Sequence, residues 1–208
     1  MKSLEEIEIL GGQPAVDFVN TVHDWHQPEP PDYLQGFDDF VRWCEMAGLI
    51  RDSGPLFRNR PEAEKEAAFA EVRKLRASLH ELFAAVARGE SLPADALEYL
   101  NEVVRRTVKW RRLAPSSNDP GIACQWDFDD APPIALLGPV AWKAAELLEL
   151  GPLDRLKECP ADSCGWLFVD TSRNRSRTWC SMATCGNNAK VRRFRKRHAS
   201  GELSDRVG

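Results

Sequence analysis

The sequence predicts an α+β chain in two unequal parts. A mainly helical N-terminal domain with a few short strands occupies residues 1–150, and a small treble-clef-like module follows over residues 155–200. Three observations carry this prediction. Apolar residues recur at helical spacing through most of the first 150 positions. Four of the six cysteines fall within 27 positions, from Cys159 to Cys185. The charge also changes sign at the join. Residues 155–198 hold 11 Lys/Arg against three Asp/Glu, or +8, which leaves −12 on the rest of a chain of formal net charge −4.

In chain order, "GFDDFVRWCEMAGLI" places Phe37, Phe40, Val41, Cys44 and Leu49 near helical spacing, with Gly48 as its stop. A longer helix starts near Pro61, a residue suited to a first turn, and ends at Gly89. Its stripe is Phe69, Val72, Leu75, Leu79, Leu82, Phe83 and Val86. A third runs from about Pro93 to Trp110 and faces inward through Leu97, Leu100, Val104 and Val108. "GIACQWDFD" alternates Ile122, Cys124, Trp126 and Phe128 with smaller or polar residues, which reads as a strand. "IALLGPVAWKAAELLEL" is a last helix whose start is blurred by Gly138 and Pro139, and "GPLDR" after Leu150 is the natural boundary. With apolar stripes of their own, residues 1–150 are expected to fold when separated from the rest.

Composition excludes several classes. The N-terminus lacks a basic start followed by an apolar run, and no stretch approaches the roughly 18 apolar residues that span a bilayer. A cytoplasmic location without membrane contact is expected. Thiols there stay reduced, so disulfides are not expected, and the isolated Cys44 and Cys124 read as small buried hydrophobes. The sequence has no G-x-S-x-G, P-loop or G-x-G-x-x-G motif, so the expectation is that the chain is not an enzyme.

The clustered cysteines are spaced C-x4-C, fifteen residues, C-x4-C. Two short pairs separated by a loop suit a tetrahedral site for one structural Zn2+ at Cys159, Cys164, Cys180 and Cys185. Redox motifs use the tighter C-x-x-C, and four thiolates leave no open position for a catalytic water. "GWLFVD" reads as a strand over the site and "NNAKVRRFRKRHA" as a helix after it, together a small treble-clef-like zinc finger. The metal replaces a core that about 45 residues cannot build alone. His198 lies too far along the helix to be a ligand. Trp166, Phe168 and Trp179 read as a miniature core before they read as base-stacking rings.

The positive charge exceeds what one zinc site attracts. On the final helix Val191 and Phe194 are expected to pack inward, leaving Lys190, Arg192, Arg193, Arg195, Lys196 and Arg197 on the other faces. Arg173, Arg175 and Arg177 add a second basic element from the loop between the cysteine pairs. These nine residues are the candidate nucleic-acid contacts, with DNA the expected partner. Asn187 and Asn188 read as helix caps, the alternative being base-edge contacts. Upstream, Asp17, Asn20 and Thr21, with His23, Asp24 and His26 nearby, form a polar cluster. It suits a pocket for a small-molecule effector, an ordinary loop, or, through the two histidines, a metal.

The run "CPADSCGWLFVDTSRNRSRTWCSMATCGNNAKVRRFRKR" resembles the CGNR zinc-finger proteins of bacteria, and "GGQPAVDFVNTV" is similar to the opening of the ABATE-type domain that precedes that finger. The resemblance implies zinc at the four cysteines, DNA binding by the basic residues and a role as a stress-induced transcription regulator. One position departs from the family signature: Asn188 stands where it has arginine, giving "CGNN". That removes a cation from the helix start and leaves the ligands untouched. Two function classes follow. In one, the basic finger grips DNA while the N-terminal domain senses a signal or assembles a homodimer. In the other, the N-terminal domain is a small-molecule enzyme and the finger a structural, RNA-binding or protein-interaction module.

Overall fold

The computed structural model describes residues 3–51, 53–115 and 121–204, with side chains in the last helix described to Lys196 and at His198. Seven helices and two two-stranded antiparallel sheets appear among these residues. The spine is α4 (Glu62–Arg88), which starts after Pro61 and ends where Gly89 turns left-handed at φ +69. Packed around it are α1 (Pro14–Val19), α2 (Phe37–Met46), α5 (Ala94–Thr107) and α6 (Leu137–Leu150). The short α3 (Gly54–Arg58) packs on α2. The sequence-predicted stripe of α4 is buried from Val72 to Phe83, with Phe69 and Val86 at its partly covered ends.

Two sequence expectations are corrected here. Helix α5 buries Ala96, Tyr99, Leu100, Val103 and Thr107, while Val108 is 43% exposed. The face is rotated because two polar groups face the core with their hydroxyls satisfied. Tyr99 Oη donates to Glu71 at 3.0 Å and Thr107 Oγ1 to the Val103 carbonyl at 2.7 Å. Counting apolar residues alone misses such a face. The second correction concerns the hairpin of β1 (Arg111–Pro115) and β2 (Ile122–Trp126). The strand forms as expected, but Ile122 is 75% exposed and Cys124 is exposed as well. A two-stranded hairpin has no second layer over its tip. Only its Trp126 end lies on α6, so close to Gly138 that a Cβ there would come within 2.6 Å of the indole. Cys44 is buried as expected.

Beyond α6 a single turn leads into the hairpin of β3 (Leu156–Glu158) and β4 (Leu167–Val169), registered Leu156↔Val169, Lys157↔Phe168 and Glu158↔Leu167. Leu156, Leu167 and Val169 belong to the same apolar cluster as the helices. The change of charge at residue 150 is therefore not matched by a gap in packing. No helix among the described residues is long and apolar enough to cross a membrane.

Candidate metal centre and nucleic-acid interface

The β3–β4 hairpin carries the first cysteine pair on its turn. Cys159 continues the ladder through its N–H to the Trp166 carbonyl at 2.8 Å, and Cys164 closes the knuckle. After a loop, Cys180 precedes and Cys185 sits within a wide turn, Met182–Gly186, that runs straight into α7 (Asn187–Ser204). All four sulfurs lie within 4.8 Å of one another, with Cys164–Cys180 at 3.5 Å and Cys180–Cys185 at 3.6 Å. Tetrahedral coordination at a Zn–S bond of about 2.3 Å requires sulfurs about 3.8 Å apart, so the donor set fits one zinc ion. Among the described residues no second group of three or more His, Cys, Asp or Glu side chains converges in this way. Without metal the thiols of Cys159, Cys164 and Cys180 compete. Hydrogen bonds from Cys164 and Cys180 pull the Cys159 thiol down, while Cys164 and Cys180 are pushed up. Zinc resolves that competition by holding all four as thiolates.

Trp166 and Phe168 are buried and Trp179 is half-buried beside the cysteines, as a miniature core. Gly186, the glycine of "CGNN", packs so tightly that a Cβ there would meet the Met182 sulfur at 2.4 Å. Helix capping falls to a different residue from the one expected. Ser181, in extended backbone, accepts from the Thr184 N–H, whereas Asn187 is already helical and its amide donates back to the Ala183 carbonyl at 3.0 Å. The wide turn moves the start of the helix back by five residues.

The basic residues divide into two groups. Arg177 is a framework residue. Its guanidinium donates to the carbonyls of Leu10, Trp179 and Cys180 at 3.1, 3.1 and 2.5 Å and lies over the Phe168 ring at 4.3 Å. Its place among the candidate DNA contacts is corrected on that ground. Arg155 and Lys157 are likewise engaged. Arg155 donates to the Asp170 and Ser172 carbonyls, and Lys157 pairs with the buried Asp170 at 2.6 Å. Hydrogen bonds from Lys157 and Ser172 hold the Asp170 carboxyl well below the usual range. At the surface, Arg175 pairs with Asp154 at 2.5 Å and Arg192 with Asp162. Arg173, Lys190, Arg193, Arg195 and Lys196 are exposed, and no ion pair ties Arg173, Lys190, Arg193 or Arg195 to the described residues. The Arg197 side chain lies outside the described ones.

Val191 and Phe194 do not pack inward. They are 47% and 62% exposed, and the ring of Phe194 stands against His198 of its own helix, centroids 4.2 Å apart. Helix α7 packs mainly on the turn that precedes it and projects away from the body.

The polar cluster near the N-terminus is occupied by the protein itself. Asn20, 1% exposed, donates its amide to the Leu167 carbonyl at 2.8 Å and accepts the Leu167 N–H at 3.0 Å. It pairs with β4 as a neighbouring strand would. Thr21 donates to the Phe18 carbonyl and accepts from Arg76, which also pairs with Asp32. Asp17 accepts the Gly11 N–H at 2.7 Å, and burial lifts its pKa to about 6 against the pull of that bond. Gly11 is confined by Val16 and Asp17, and its carbonyl takes the Val169 N–H at 2.8 Å. The Val22 carbonyl accepts Trp166 Nε1 at 2.7 Å, and the Trp25 N–H reaches the Cys164 carbonyl. The expected pocket at Asp17, Asn20 and Thr21 is thus a seat for the β3–β4 hairpin. The Leu167 partner of Asn20 lies 147 positions away, and nothing local in the sequence announces it.

Residues 12–150 match the family model ABATE, described as a "putative stress-induced transcription regulator". The chain belongs to the ABATE family. Residues 155–198 match the CGNR zinc finger, so the ABATE region and the finger follow one another as the resemblance implied. In the ABATE region, Gly12 to Thr21 is the segment that seats the hairpin. No curated protein matches the chain.

Proposed function

We propose that this ABATE protein is a zinc-dependent DNA-binding transcription regulator and not an enzyme, with α7 as its DNA-reading element. The observation that supports the reading most is the division of the cations. Those that build the finger are bonded internally, while Lys190, Arg193 and Arg195 stand exposed on a helix that projects from a metal-fixed base. A helix of this kind enters a major groove, where exposed cations meet phosphates and side chains between them meet base edges. Val191 and Phe194 offer apolar surface of the type that contacts thymine methyls, and Asn188 supplies a neutral donor and acceptor at the helix start. The ABATE region then senses a signal or mediates assembly, and its contacts with β4 carry that state to the finger.

The test is a salt series on zinc-loaded protein with duplex DNA. With about four phosphate contacts, affinity is expected to fall about 10²-fold between 50 and 200 mM salt. Changing Arg193 and Arg195 together to Ala flattens the log–log slope by about two units at unchanged zinc content. Arg177→Ala, by contrast, lowers the melting temperature and leaves the slope alone. A slope near zero, or one that the double substitution leaves intact, overturns the reading.

A further inference from the structure

A cavity of about 300 Å3 opens where the N-terminal segment crosses the cysteine cluster. Three rings stand on it. His23 and Trp166 meet edge to face with centroids 6.0 Å apart, His23 and Tyr33 likewise at 6.3 Å, and Tyr33 is tilted against Trp166 at 6.4 Å. Tyr33 and Trp166 are buried, and the bond from Trp166 Nε1 to the Val22 carbonyl fixes the indole. Rings set at angles to one another form a box corner that presents the negative face of a π system.

Among the described residues, the charges around this corner that stand outside ion pairs share one sign. Glu6 and Glu8 lie at the rim, both exposed. Cys164, Cys180 and Cys185 line another wall, and four thiolates around one Zn2+ carry a formal charge of about −2. Among the described lining residues the one Lys or Arg, Arg192, is paired with Asp162. An aromatic corner facing carboxylates and an anionic metal cluster favours a cation with an apolar body and disfavours an anion. The volume stands at the lower end of the range of about 300 to 1,000 Å3 typical of small-molecule sites, so the ligand is small.

We propose that this cavity binds a small organic cation, a primary or quaternary ammonium. The inference deepens the signal-sensing part of the function proposed above and does not depend on DNA binding. Because the walls belong to both parts of the chain, an occupant here bridges the ABATE segment and the metal knuckle.

The experiment is calorimetric titration of the full zinc-loaded chain, without nucleic acid, with choline and with butylammonium. Two controls are 3,3-dimethyl-1-butanol, a neutral shape match for choline, and butyrate. At least one cation is expected to bind about ten-fold more tightly than the alcohol, with no heat from butyrate. Glu8→Gln, an isosteric change at an exposed position, weakens the cation about ten-fold while zinc content and melting temperature stay unchanged. Equal binding of cation and alcohol overturns the proposal, as does the absence of binding by both cations at millimolar concentration. Unchanged affinity in Glu8→Gln removes the carboxylate from the site and overturns it too. Failure of the DNA salt series leaves each of these outcomes untouched.

Discussion

The two halves of the zinc module share one set of sulfurs and differ in almost everything else. The first, the β3–β4 hairpin with Cys159 and Cys164, is sunk into the helical body: Leu156, Leu167 and Val169 lie in its core, and Asn20 holds both backbone groups of Leu167. The second, Cys180 and Cys185 with α7, leaves its apolar residues in solvent and meets little beyond its own first turn. One half is held by burial and the other by metal. The lesson is that a high local charge conceals two kinds of cation. Arg155, Lys157 and Arg177 solve hydrogen-bonding problems inside the fold, whereas Arg173, Lys190, Arg193 and Arg195 are exposed with no ion pair to the described residues.

This contrast can be broken in several ways, the largest through the metal. Cys180→Ser removes a ligand, and zinc binding supplies on the order of 10 kcal/mol to such modules. The expected result is loss of the bound zinc by elemental analysis and loss of α7 helicity by circular dichroism. The hairpin half is expected to stay docked, because its contacts are apolar and do not pass through the ion. If the helical body unfolds with the metal, the two halves are not held by separate means.

Asn20→Ala attacks the other half. It strands the N–H and C=O of Leu167 in a buried setting, at a cost of about 2–4 kcal/mol. A calorimetric melt is expected to remain a single transition at lower temperature, because helices and hairpin share a core. Two separate transitions would show that the parts fold independently. A fragment ending at residue 150 is a harsher version of the test. It exposes the seat of β4, so it is expected to lose cooperative melting, contrary to the independence that its apolar stripes suggest.

The smallest effect is pH dependence in the seat itself. Burial raises Asp17 to about 6, so the folded state binds a proton that the unfolded state, with its ordinary carboxylate, releases above about pH 4. Acidification from pH 7 towards 4 therefore stabilises the fold through Asp17. His80 acts in the opposite sense. Burial against Trp25, stacked at 4.1 Å, lowers it to about 4, so the unfolded state binds the extra proton below about pH 6.5 and acidification destabilises. Each contribution is at most about 3 kcal/mol. Denaturant melts of Asp17→Asn and His80→Phe across this range check the signs. Relative to Asp17→Asn the parent should gain stability on acidification, and relative to His80→Phe it should lose it. Parallel curves would mean that neither group titrates differently on folding.

Legibility follows the range of the interaction. Helices α2, α4, α5, α6 and α7, the stops at Gly48 and Gly89, the metal ligands and the order of strand and helix around them were readable, because each rests on residues within a few turns or on a short spacing, whereas the short α1 and α3 were not. Tertiary structure alone decided which face of α5 is inside, since Tyr99 and Thr107 become core residues only when their hydroxyls find partners. It also decided that Asn20, Thr21 and Arg177 are bonded within the fold, because a polar side chain looks the same in sequence whether its partner is a ligand or a group on a distant segment such as Leu167, Arg76 or Leu10. Val191 and Phe194 show the converse. Apolar residues at helical spacing predict a buried face only if another element arrives to cover it, and no described element covers α7. The sequence by itself determined the longer helices and the metal ligands. The fold determined which of the remaining polar and charged groups face one another and which face solvent, because hydrogen-bond satisfaction is settled only when distant segments meet.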